Sequence, residues 1–363
     1  MVSRRGMKKT AHSALLDEIK AIACIFVILI HCKFPGITGD LCEALARFAV
    51  PFFFVISGKY LLKESCIEVS DIRKTVFQKT KKLLGVLFPV WSFYTIYSFW
   101  YSLTVGHTVS EWLSDKYNSF EFSRLILFNS GKFIYDFTYS FDHLWFILAL
   151  IYVYLLVIIF ARFVRSWAPF LTVSLMMLLF VLELLQTYYP IRPFDISIST
   201  WYVVRNWLFV GVPFTMLGVW FSDKLSKMEF FKEITPGVTL LVLGIISTLA
   251  EYSVWKSKEV YFGSLLIVLA LLILENAGRN MGKKKFFHIK AFEFVGRTIS
   301  SHVYYMHVFV ISLFGWFIDR INPEIYGNDS FMYARPFMVI VLTIVLSLTI
   351  YKIKTLTKKD KNV

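Results

Sequence analysis

The sequence predicts an all-α fold, a polytopic integral membrane bundle of about ten transmembrane helices with both termini in the cytoplasm. Three observations predict it. Of the 363 residues, 57% are hydrophobic and only 18% are charged, against roughly 45–50% and 25% in soluble domains. Ten apolar runs are each long enough to cross a bilayer, which takes about 20 residues. The basic residues fall between these runs.

The composition also excludes other classes of protein. Aromatic residues form 18% of the chain, which has only 17 glycines and 10 prolines, so a disordered or collagen-like chain is excluded. The formal net charge of +14 would suggest a nucleic-acid partner only if the basic side chains shared one face of a domain. They are spread between the apolar runs instead. We therefore expect membrane lipids, and no nucleic acid, as partners.

The predicted spans form a single transmembrane domain over residues 1–363. This domain begins with a basic cytoplasmic tail, 1–14, and ends with a basic C-terminal tail, 354–363. The region 105–142 is too polar to cross the bilayer, so we expect an outer loop with interfacial helices. The predicted spans are 16–34, 43–62, 83–104, 143–163, 168–188, 200–221, 236–254, 260–276, 291–317 and 334–353.

The distribution of Lys and Arg sets the orientation, because basic residues are retained on the cytoplasmic side. Of the 39 basic residues, an N-in, C-in arrangement places 26 in inner segments or at inner span ends, and 10 in outer loops or at outer span ends. The remaining 3, Lys59, Arg205 and Arg297, are counted within spans. This bias supports an even number of spans. No small-residue cleavage site follows the first apolar run, so we expect a retained helix rather than a signal peptide.

The first predicted helix carries the clearest candidate site. An ionisable side chain within a span costs roughly 2.5–3.5 kcal/mol on insertion scales, so each is a functional candidate. Lys20 and His31 are separated by about 16.5 Å of helical rise and close to three full turns. They therefore share one face at opposite depths. The alternative is that both side chains only reach the nearest lipid headgroups.

Two further spans contain polar residues that their apolar surroundings do not explain. The second span holds Pro51 and ends with Ser57-Gly58-Lys59, which predicts a kink beside a cavity. The fourth span begins with His143 and Trp145. An aromatic belt at the membrane interface explains the tryptophan but not the histidine.

Later spans add further candidate site residues, which share a helical face or lie at the same predicted depth in the membrane. Ser300, Tyr304 and His307 share one face of the ninth span, because they follow the i, i+4, i+7 spacing of a helix. Glu183 in the fifth span and Arg205 in the sixth lie at matched depth near the outer side. Two interpretations stay open for them: a structural ion pair, or a site that binds an acceptor or orients a base.

Basic residues gather at the cytoplasmic ends of the first three spans. Lys20 begins the first span, Lys59 lies near the inner end of the second, and Lys79 and Lys82 precede the third. Topology alone explains such lysines. If they converge, they would form a site for an anionic cytosolic molecule that carries phosphates.

These motifs, in this order, resemble those of membrane acyltransferase family 3, bacterial integral-membrane proteins that O-acylate sugars of the cell envelope. The resemblance covers nearly the whole chain. It rests on the Lys20 to His31 spacing, similar to the family's Arg/Lys-x10-His, and on the Phe-Phe-x-x-Ser-Gly stretch that ends at Gly58. It also rests on the His143-Leu144-Trp145-Phe146 segment and on a late Ser-x-x-x-Tyr-x-x-His signature from Ser300 to His307.

The resemblance implies an enzyme of the bacterial plasma membrane, an O-acetyltransferase. Its donor would be cytosolic acetyl-CoA, which is a substrate, and no permanently bound cofactor or metal is expected. Its acceptor would be a hydroxyl of an envelope or exported glycan, or of a lipid-linked sugar, at the outer face. A histidine suits this chemistry, because an imidazole with a pKa of about 6.5 can take a proton from the hydroxyl. It can instead carry the acyl group transiently.

The candidate residues then divide by role. Lys20, Lys59, Lys79 and Lys82 would bind the donor, and His31 and His307 would be catalytic. The residues that would bind the acceptor or orient it are His143, Trp145, Glu183, Arg205, Ser300 and Tyr304.

The chain departs from the family pattern in three places. Lys59 follows Ser-Gly, where the family usually has an aromatic or apolar residue. Lys20 stands where arginine is common, so a point charge replaces bidentate phosphate recognition. The segment after Arg205 is more similar to the branch that includes the membrane halves of serine/alanine racemases, which are thought to supply an amino acid. The alternative function is therefore a transporter of a small, polar, amino-acid-like solute, because histidines within the membrane fit both functions.

Overall fold

The computed structural model describes residues 13–130, 132, 142–188, 201–281 and 288–360, and every regular element among them is helical. Most of the predicted N-terminal tail lies outside these residues, whereas the predicted C-terminal tail continues the last helix to Asp360. The helices are α1 (Ala14–His31), α2 (Gly36–Ala46), α3 (Ala49–Lys59), α4 (Val69–Thr104), α5 (Val109–Lys116), α6 (Ser119–Phe128), α7 (Trp145–Ile159), α8 (Val164–Tyr188), α9 (Trp201–Val204), α10 (Val212–Asp223), α11 (Ile234–Trp255), α12 (Phe262–Met281), α13 (Lys290–Phe294), α14 (Ser300–Ile321) and α15 (Asp329–Asp360).

The chain has the helices of a multi-pass membrane protein. In its described part, eight helical segments are long and apolar enough to cross a membrane. The helices of two other predicted spans are not among these eight. α7 is shorter, with 15 residues, and α1 carries three charged residues in its first half. The count of ten spans and their orientation stay predictions. We call the two ends of the bundle the Lys20 end and the His31 end, after the residues that lie near the two ends of α1.

The predicted second span, 43–62, is interrupted, but not at the predicted kink. α2 ends at Ala46 and α3 begins at Ala49, so the interruption falls at Arg47 and Phe48, before Pro51. Pro51 lies in the first turn of α3, where its missing N–H costs no helical hydrogen bond. The interruption therefore places Arg47 at a break between two helices.

Glycines allow α3 and α10 to cross with their backbones in contact. A Cβ atom on Gly58 would lie 1.9 Å from the carbonyl oxygen of Thr215, and one on Gly218 would lie 2.0 Å from that of Val55. Both positions require glycine for steric reasons alone. The crossing fixes α10, and the segment that precedes it, against α3.

The third predicted span is the second half of a longer helix. α4 has 36 residues, about 54 Å at the rise of an α-helix. Its first half is charged and mostly exposed, so it extends beyond the apolar part. Lys79 and Lys82, which were expected before the span, lie on this helical extension.

The predicted sixth span, 200–221, is broken near its start. α9 ends at Val204, and a π-helical turn, Trp207–Gly211, precedes α10. The side-chain oxygen of Asn206 accepts hydrogen bonds from two N–H groups of this turn at 2.8 and 2.9 Å. The buried Asn129 accepts a further one at 2.7 Å. A break at membrane depth needs such partners, because little water is available to the backbone.

The ninth span also begins with a π-helical turn. Val295–Ile299 joins α13 to α14, and a Cβ on Gly296 would lie 1.7 Å from the carbonyl oxygen of Asp17. Further along, the thiol of Cys24 contacts the carbonyl oxygen of Ser300 at 3.6 Å. α1 and α14 therefore run side by side from the Lys20 end to the His31 end.

Two short helices, α5 and α6, occupy the region where interfacial helices are predicted. α5 begins with a capping box: the hydroxyl oxygen of Thr108 accepts from the N–H of Glu111 at 3.2 Å, and the N–H of Thr108 donates to the Glu111 carboxylate at 2.7 Å. The hydroxyl of Thr108 also donates to this carboxylate at 3.0 Å. The two bonds to the carboxylate hold the pKa of the exposed Glu111 carboxyl below its ordinary value. α6 exposes several large apolar side chains, as an interfacial helix does. Residues 133–141 of the predicted loop lie outside the described residues.

Candidate active site

Three histidines that are far apart in the sequence meet at the His31 end. The ring centre of His307, on α14, lies 5.3 Å from that of His31 and 5.2 Å from that of His143. His143 comes from a 3-10 turn just before α7. His143 and His307 are buried, and His31 is partly exposed. We call these three residues the histidine cluster.

A backbone hydrogen bond determines which nitrogen of His307 carries the proton. Its Nδ1 lies 2.8 Å from the carbonyl oxygen of Tyr304 and 3.2 Å from that of Val303. Because a carbonyl oxygen only accepts, Nδ1 is the donor. The neutral ring therefore has an unprotonated Nε2, the nitrogen that can take up a proton.

Two tyrosines hold the histidine cluster in place. The hydroxyl of Tyr304 donates to the carbonyl oxygen of His143 and so connects α14 to the turn before α7. Tyr94, on α4, donates to the carbonyl oxygen of Tyr305 at 2.5 Å, and its ring centre lies 4.9 Å from that of His143. Tyr304 thus has a position from which it orients His143. No pattern in the sequence indicates that Tyr94 helps to position the histidine cluster.

A small cavity opens beside His31, and we call it the His31 cavity. Its volume is about 40 Å³, and its walls include His31, Arg47, Trp145, Arg205 and Glu259. This volume holds a few water molecules or one polar group of a ligand. The guanidinium of Arg205 lies over the indole of Trp145, 5.6 Å from the ring centre, in a cation–π contact.

Glu259 contacts both arginines in the wall of the His31 cavity. Its carboxylate lies 2.8 Å from the guanidinium of Arg47 and 4.0 Å from Nε of Arg205. Arg47 also pairs with Glu43. These charges are largely buried, so the pairing offsets the cost of removing them from water. Sequence reasoning missed Arg47 and Glu259, although Arg47 lies inside the predicted span 43–62.

Glu183 and Arg205 both have charged partners in the loop between α11 and α12. The carboxylate of Glu183 lies 3.5 Å from the ammonium of Lys258, and Arg205 approaches the next residue, Glu259. The sequence prediction considered a direct pair between Glu183 and Arg205. The structure connects them through two consecutive residues of one loop and places Glu183 in a second cavity.

Ser300 shares a helical face with Tyr304 and His307 but lies two turns nearer the Lys20 end. Its hydroxyl donates to the carbonyl oxygen of Gly296 at 2.8 Å. Its own carbonyl oxygen accepts from Cys24 of α1. Ser300 is therefore part of the contact between α1 and α14, and its position does not support the acceptor contact that the sequence suggested.

Lys20 lies at the far end of α1 from the histidine cluster. Its Nζ lies 2.9 Å from the carboxylate of Asp17, and its side chain is still 25% exposed. Lys79 donates to the carbonyl oxygen of Tyr60, just after α3. Lys82 is exposed on α4. These three lysines therefore keep part or all of their charge accessible.

Lys59 has a different environment from the other three lysines. Its side chain is 8% exposed, and its ammonium pairs with Glu275 of α12. The same carboxylate binds Arg279, which in turn contacts the hydroxyl of Tyr60. The predicted phosphate contact of Lys59 is not supported, because its charge is buried and already neutralised. The lysine after Ser-Gly instead stabilises the packing of α3 against α12.

Replacing Glu275 by leucine is expected to destabilise the protein strongly. The variant leaves the charge of Lys59 buried without its carboxylate, a change that typically costs about 3–5 kcal/mol. Adding Lys59→Met removes that charge as well and should restore most of the stability. Thermal unfolding in detergent measures both. Glu64→Leu, at a site that is 87% exposed, serves as the control; equal melting temperatures for the single and double variants would contradict the buried pair.

Among the described residues, no group of three or more His, Cys, Asp or Glu side chains is arranged so that it could hold a metal ion. The histidine rings of the cluster meet edge to face or tilted.

The family model described as "Acyltransferase domain", of acyltransferase family 3, matches residues 14–352. The chain belongs to this family. The match includes the histidine cluster, the His31 cavity and the lysines of the Lys20 end. All the candidate residues of this chain therefore lie within its family domain.

A shorter similarity relates this chain to a serine/alanine racemase from Enterococcus gallinarum. The two are 39% identical over 77 residues, which are 20% of this chain and 11% of the racemase. The match thus covers a small part of either protein. It agrees with the resemblance that the segment after Arg205 suggested. No solved structure matches this chain.

Proposed function

We propose that this protein is an O-acetyltransferase of the bacterial plasma membrane. It would move an acetyl group from cytosolic acetyl-CoA to a hydroxyl of an envelope or exported glycan, or of a lipid-linked sugar. One observation supports this most: a single helix, α1, carries the partly exposed Lys20 near one end and His31 within the histidine cluster at the other. A site for an anionic donor and a group that accepts protons are thus joined by one rigid element.

The length of α1 suits acetyl-CoA as the donor. Lys20 and His31 are separated by about 16.5 Å of rise, and the pantetheine arm of CoA is of similar length, on the order of 15–20 Å. Phosphates held by Lys20, Lys79 and Lys82 would therefore place the thioester near His31. Ammonium groups bind phosphates through charge-assisted hydrogen bonds.

The proposed chemistry begins at the acceptor hydroxyl. His31 takes its proton while the hydroxyl oxygen attacks the carbonyl carbon of the thioester. The C–S bond then breaks, and the imidazolium returns the proton to the CoA thiolate. A histidine suits both transfers, because an imidazole nitrogen can accept a proton and return it. His307, whose Nε2 is unprotonated and whose ring lies beside His31, has a position from which it assists by holding the proton.

A second route uses the same residues. His31 would first accept the acetyl group and then pass it to the hydroxyl, as nucleophilic side chains do in covalent catalysis. Mixing the protein with labelled acetyl-CoA before the acceptor is added separates the two routes. Protein-bound label that moves to the acceptor on its addition indicates the covalent route, and label that stays on acetyl-CoA until then indicates direct transfer.

Trp145 and Arg205 form the wall where the acceptor would enter. An aromatic face packs against the apolar face of a sugar, and a guanidinium donates hydrogen bonds to its oxygens. The His31 cavity, at about 40 Å³, would take only the reacting part of that sugar. The acceptor must therefore have further contacts outside this cavity.

Replacing Lys20 by alanine is expected to raise the KM for acetyl-CoA about tenfold, which corresponds to about 1.4 kcal/mol. The kcat should change little, because Lys20 binds the part of the donor that does not react. Steady-state kinetics of the purified protein measure both values. Lys20→Arg should retain most of the affinity, and Lys227→Ala, at an exposed site, is the control. An unchanged KM in Lys20→Ala would show that this lysine is only a topological anchor.

The proposed function is tested by incubating the purified protein with radiolabelled acetyl-CoA and bacterial envelope material. We expect label on the envelope material, released by mild base as an ester is. If the envelope stays unlabelled, and protein in vesicles takes up a small polar solute without any CoA compound, the protein is a transporter and the proposed function is wrong.

A further inference from the structure

A second cavity lies beside the His31 cavity and is much larger. Its volume is about 330 Å³, and it lies between α8, α11 and α12. Mostly apolar walls with a few polar groups are typical of sites for small ligands, which begin at roughly 300 Å³. The proposed function does not yet assign it a role. The residues that matter here are Phe180, Glu183, Glu251, Trp255, Lys258 and Phe262.

The two cavities have a common wall. Lys258 lines the larger cavity, and the next residue, Glu259, lines the His31 cavity. Because consecutive Cα atoms are about 3.8 Å apart, ligand groups on the two sides of this loop are close neighbours. A ligand whose reacting part enters the His31 cavity therefore has space for its next part in the larger one.

One carboxylate fixes the loop that separates the cavities. Glu251 accepts hydrogen bonds from two N–H groups at the start of α12, both at 2.8 Å. It also accepts one from the hydroxyl of Ser247 at 2.9 Å. These bonds satisfy the helix N-terminus, so the start of α12 and the end of α11 are held together. The wall of the cavity is thereby preorganised, which lowers the cost of binding.

The other polar groups of this cavity are balanced in charge. Glu183 pairs with Lys258 at 3.5 Å, and the ammonium of Lys258 lies 5.2 Å from the centre of the Trp255 ring. A pair of this kind offers both hydrogen-bond acceptors and donors. The aromatic rings nearby offer apolar faces. The combination suits a ligand that is uncharged, rich in hydroxyl groups and apolar on its ring faces.

We infer that the larger cavity binds a second sugar unit of the acceptor, while the unit to be acetylated enters beside His31. This inference rests on the proposed function, since it concerns the acceptor of that reaction. Glu183 and Lys258 bond the hydroxyl groups of the second unit, and Trp255 packs against its ring. The protein therefore discriminates between acceptors by the number of linked sugar units.

The test uses the envelope glycan that accepts label from acetyl-CoA, cut into fragments and separated by size. We expect wild-type kcat/KM to be at least tenfold higher for fragments of several units than for single units. In Trp255→Leu and Glu183→Gln this ratio should fall to about one, because the second unit loses its contacts. Gel filtration and the melting temperature of each variant show whether it folds. Trp167→Leu, at an exposed tryptophan stacked on Phe163, is the matched control.

Failure of this inference and failure of the proposed function give different results. If wild-type protein labels no glycan at all, the proposed function is wrong and the inference with it. If wild-type protein labels glycan but the variants keep its fragment preference, only the inference is overturned. Fragments carrying an octyl chain form the last arm. A preference that depends on the octyl chain and not on the second sugar shows that the cavity takes a lipid chain, which also overturns the inference.

Discussion

Replacing His31 by alanine is expected to lower acetyl transfer at least a hundredfold. General acid and base groups contribute typically about 10²–10⁴-fold to a rate, and the proposed step depends on this imidazole twice. His31 is the residue of the histidine cluster that lines the His31 cavity, and it is a partly exposed residue in the last turn of α1. Its removal should therefore not unfold the protein. Transfer of label from acetyl-CoA to envelope glycan measures the loss, and gel filtration checks the fold.

A histidine away from the cluster is the control for this loss. His107→Ala, in the segment between α4 and α5, should keep wild-type activity, because its side chain is 43% exposed and approaches Glu111 of α5. His307→Ala should lose activity with His31→Ala, since the rings of the two residues are adjacent. Wild-type activity in a folded His31→Ala protein would remove His31 from the mechanism.

Replacing Gly58 by alanine is expected to destabilise the bundle, by an amount on the order of 3 kcal/mol or more. The added Cβ would lie 1.9 Å from the backbone carbonyl oxygen of Thr215. A backbone atom cannot move aside as a flexible side chain can, so α3 and α10 must separate. α10 follows the break that carries Arg205, and its displacement should lower activity as well. The melting temperature in detergent and the yield of folded protein measure the effect.

Gly85→Ala is the matched control for the glycine crossing. Gly85 also lies within a helix, α4, but no described atom lies within 4 Å of a Cβ built there. Alanine has a higher helix propensity than glycine by up to about 1 kcal/mol, so this variant should be as stable as the wild type or slightly more stable. Equal melting temperatures for Gly58→Ala and Gly85→Ala would contradict the close crossing.

The sequence predicts the helices well and their interruptions poorly. α11, Ile234–Trp255, agrees with the predicted span 236–254 to within a few residues, because bilayer thickness sets the length of an apolar run. The break after α9 has no comparable local signal. It is stabilised by Asn129, which lies 78 residues earlier in the chain. A pattern within one segment cannot contain such a contact.

The same distinction applies to the candidate site. The helical repeat places Lys20 and His31 on one face of α1, because that relation is local. The approach of His143 and His307 to His31 depends on the order of the helices in the bundle, which periodicity does not encode. Lys59 resembles the other basic residues in sequence, but its partner Glu275 is 216 residues away. Only the packing of α3 against α12 distinguishes a buried, paired lysine from an accessible one.

In the proposed reaction, the acetyl group enters from the Lys20 end of the bundle and is transferred to the acceptor at the His31 end. Purified protein in sealed vesicles, with labelled acetyl-CoA enclosed and the acceptor glycan outside, tests this most directly. We expect label on the outside glycan with the wild-type protein and none with His31→Ala. Transfer that occurs only when donor and acceptor are on the same side of the membrane would contradict the account.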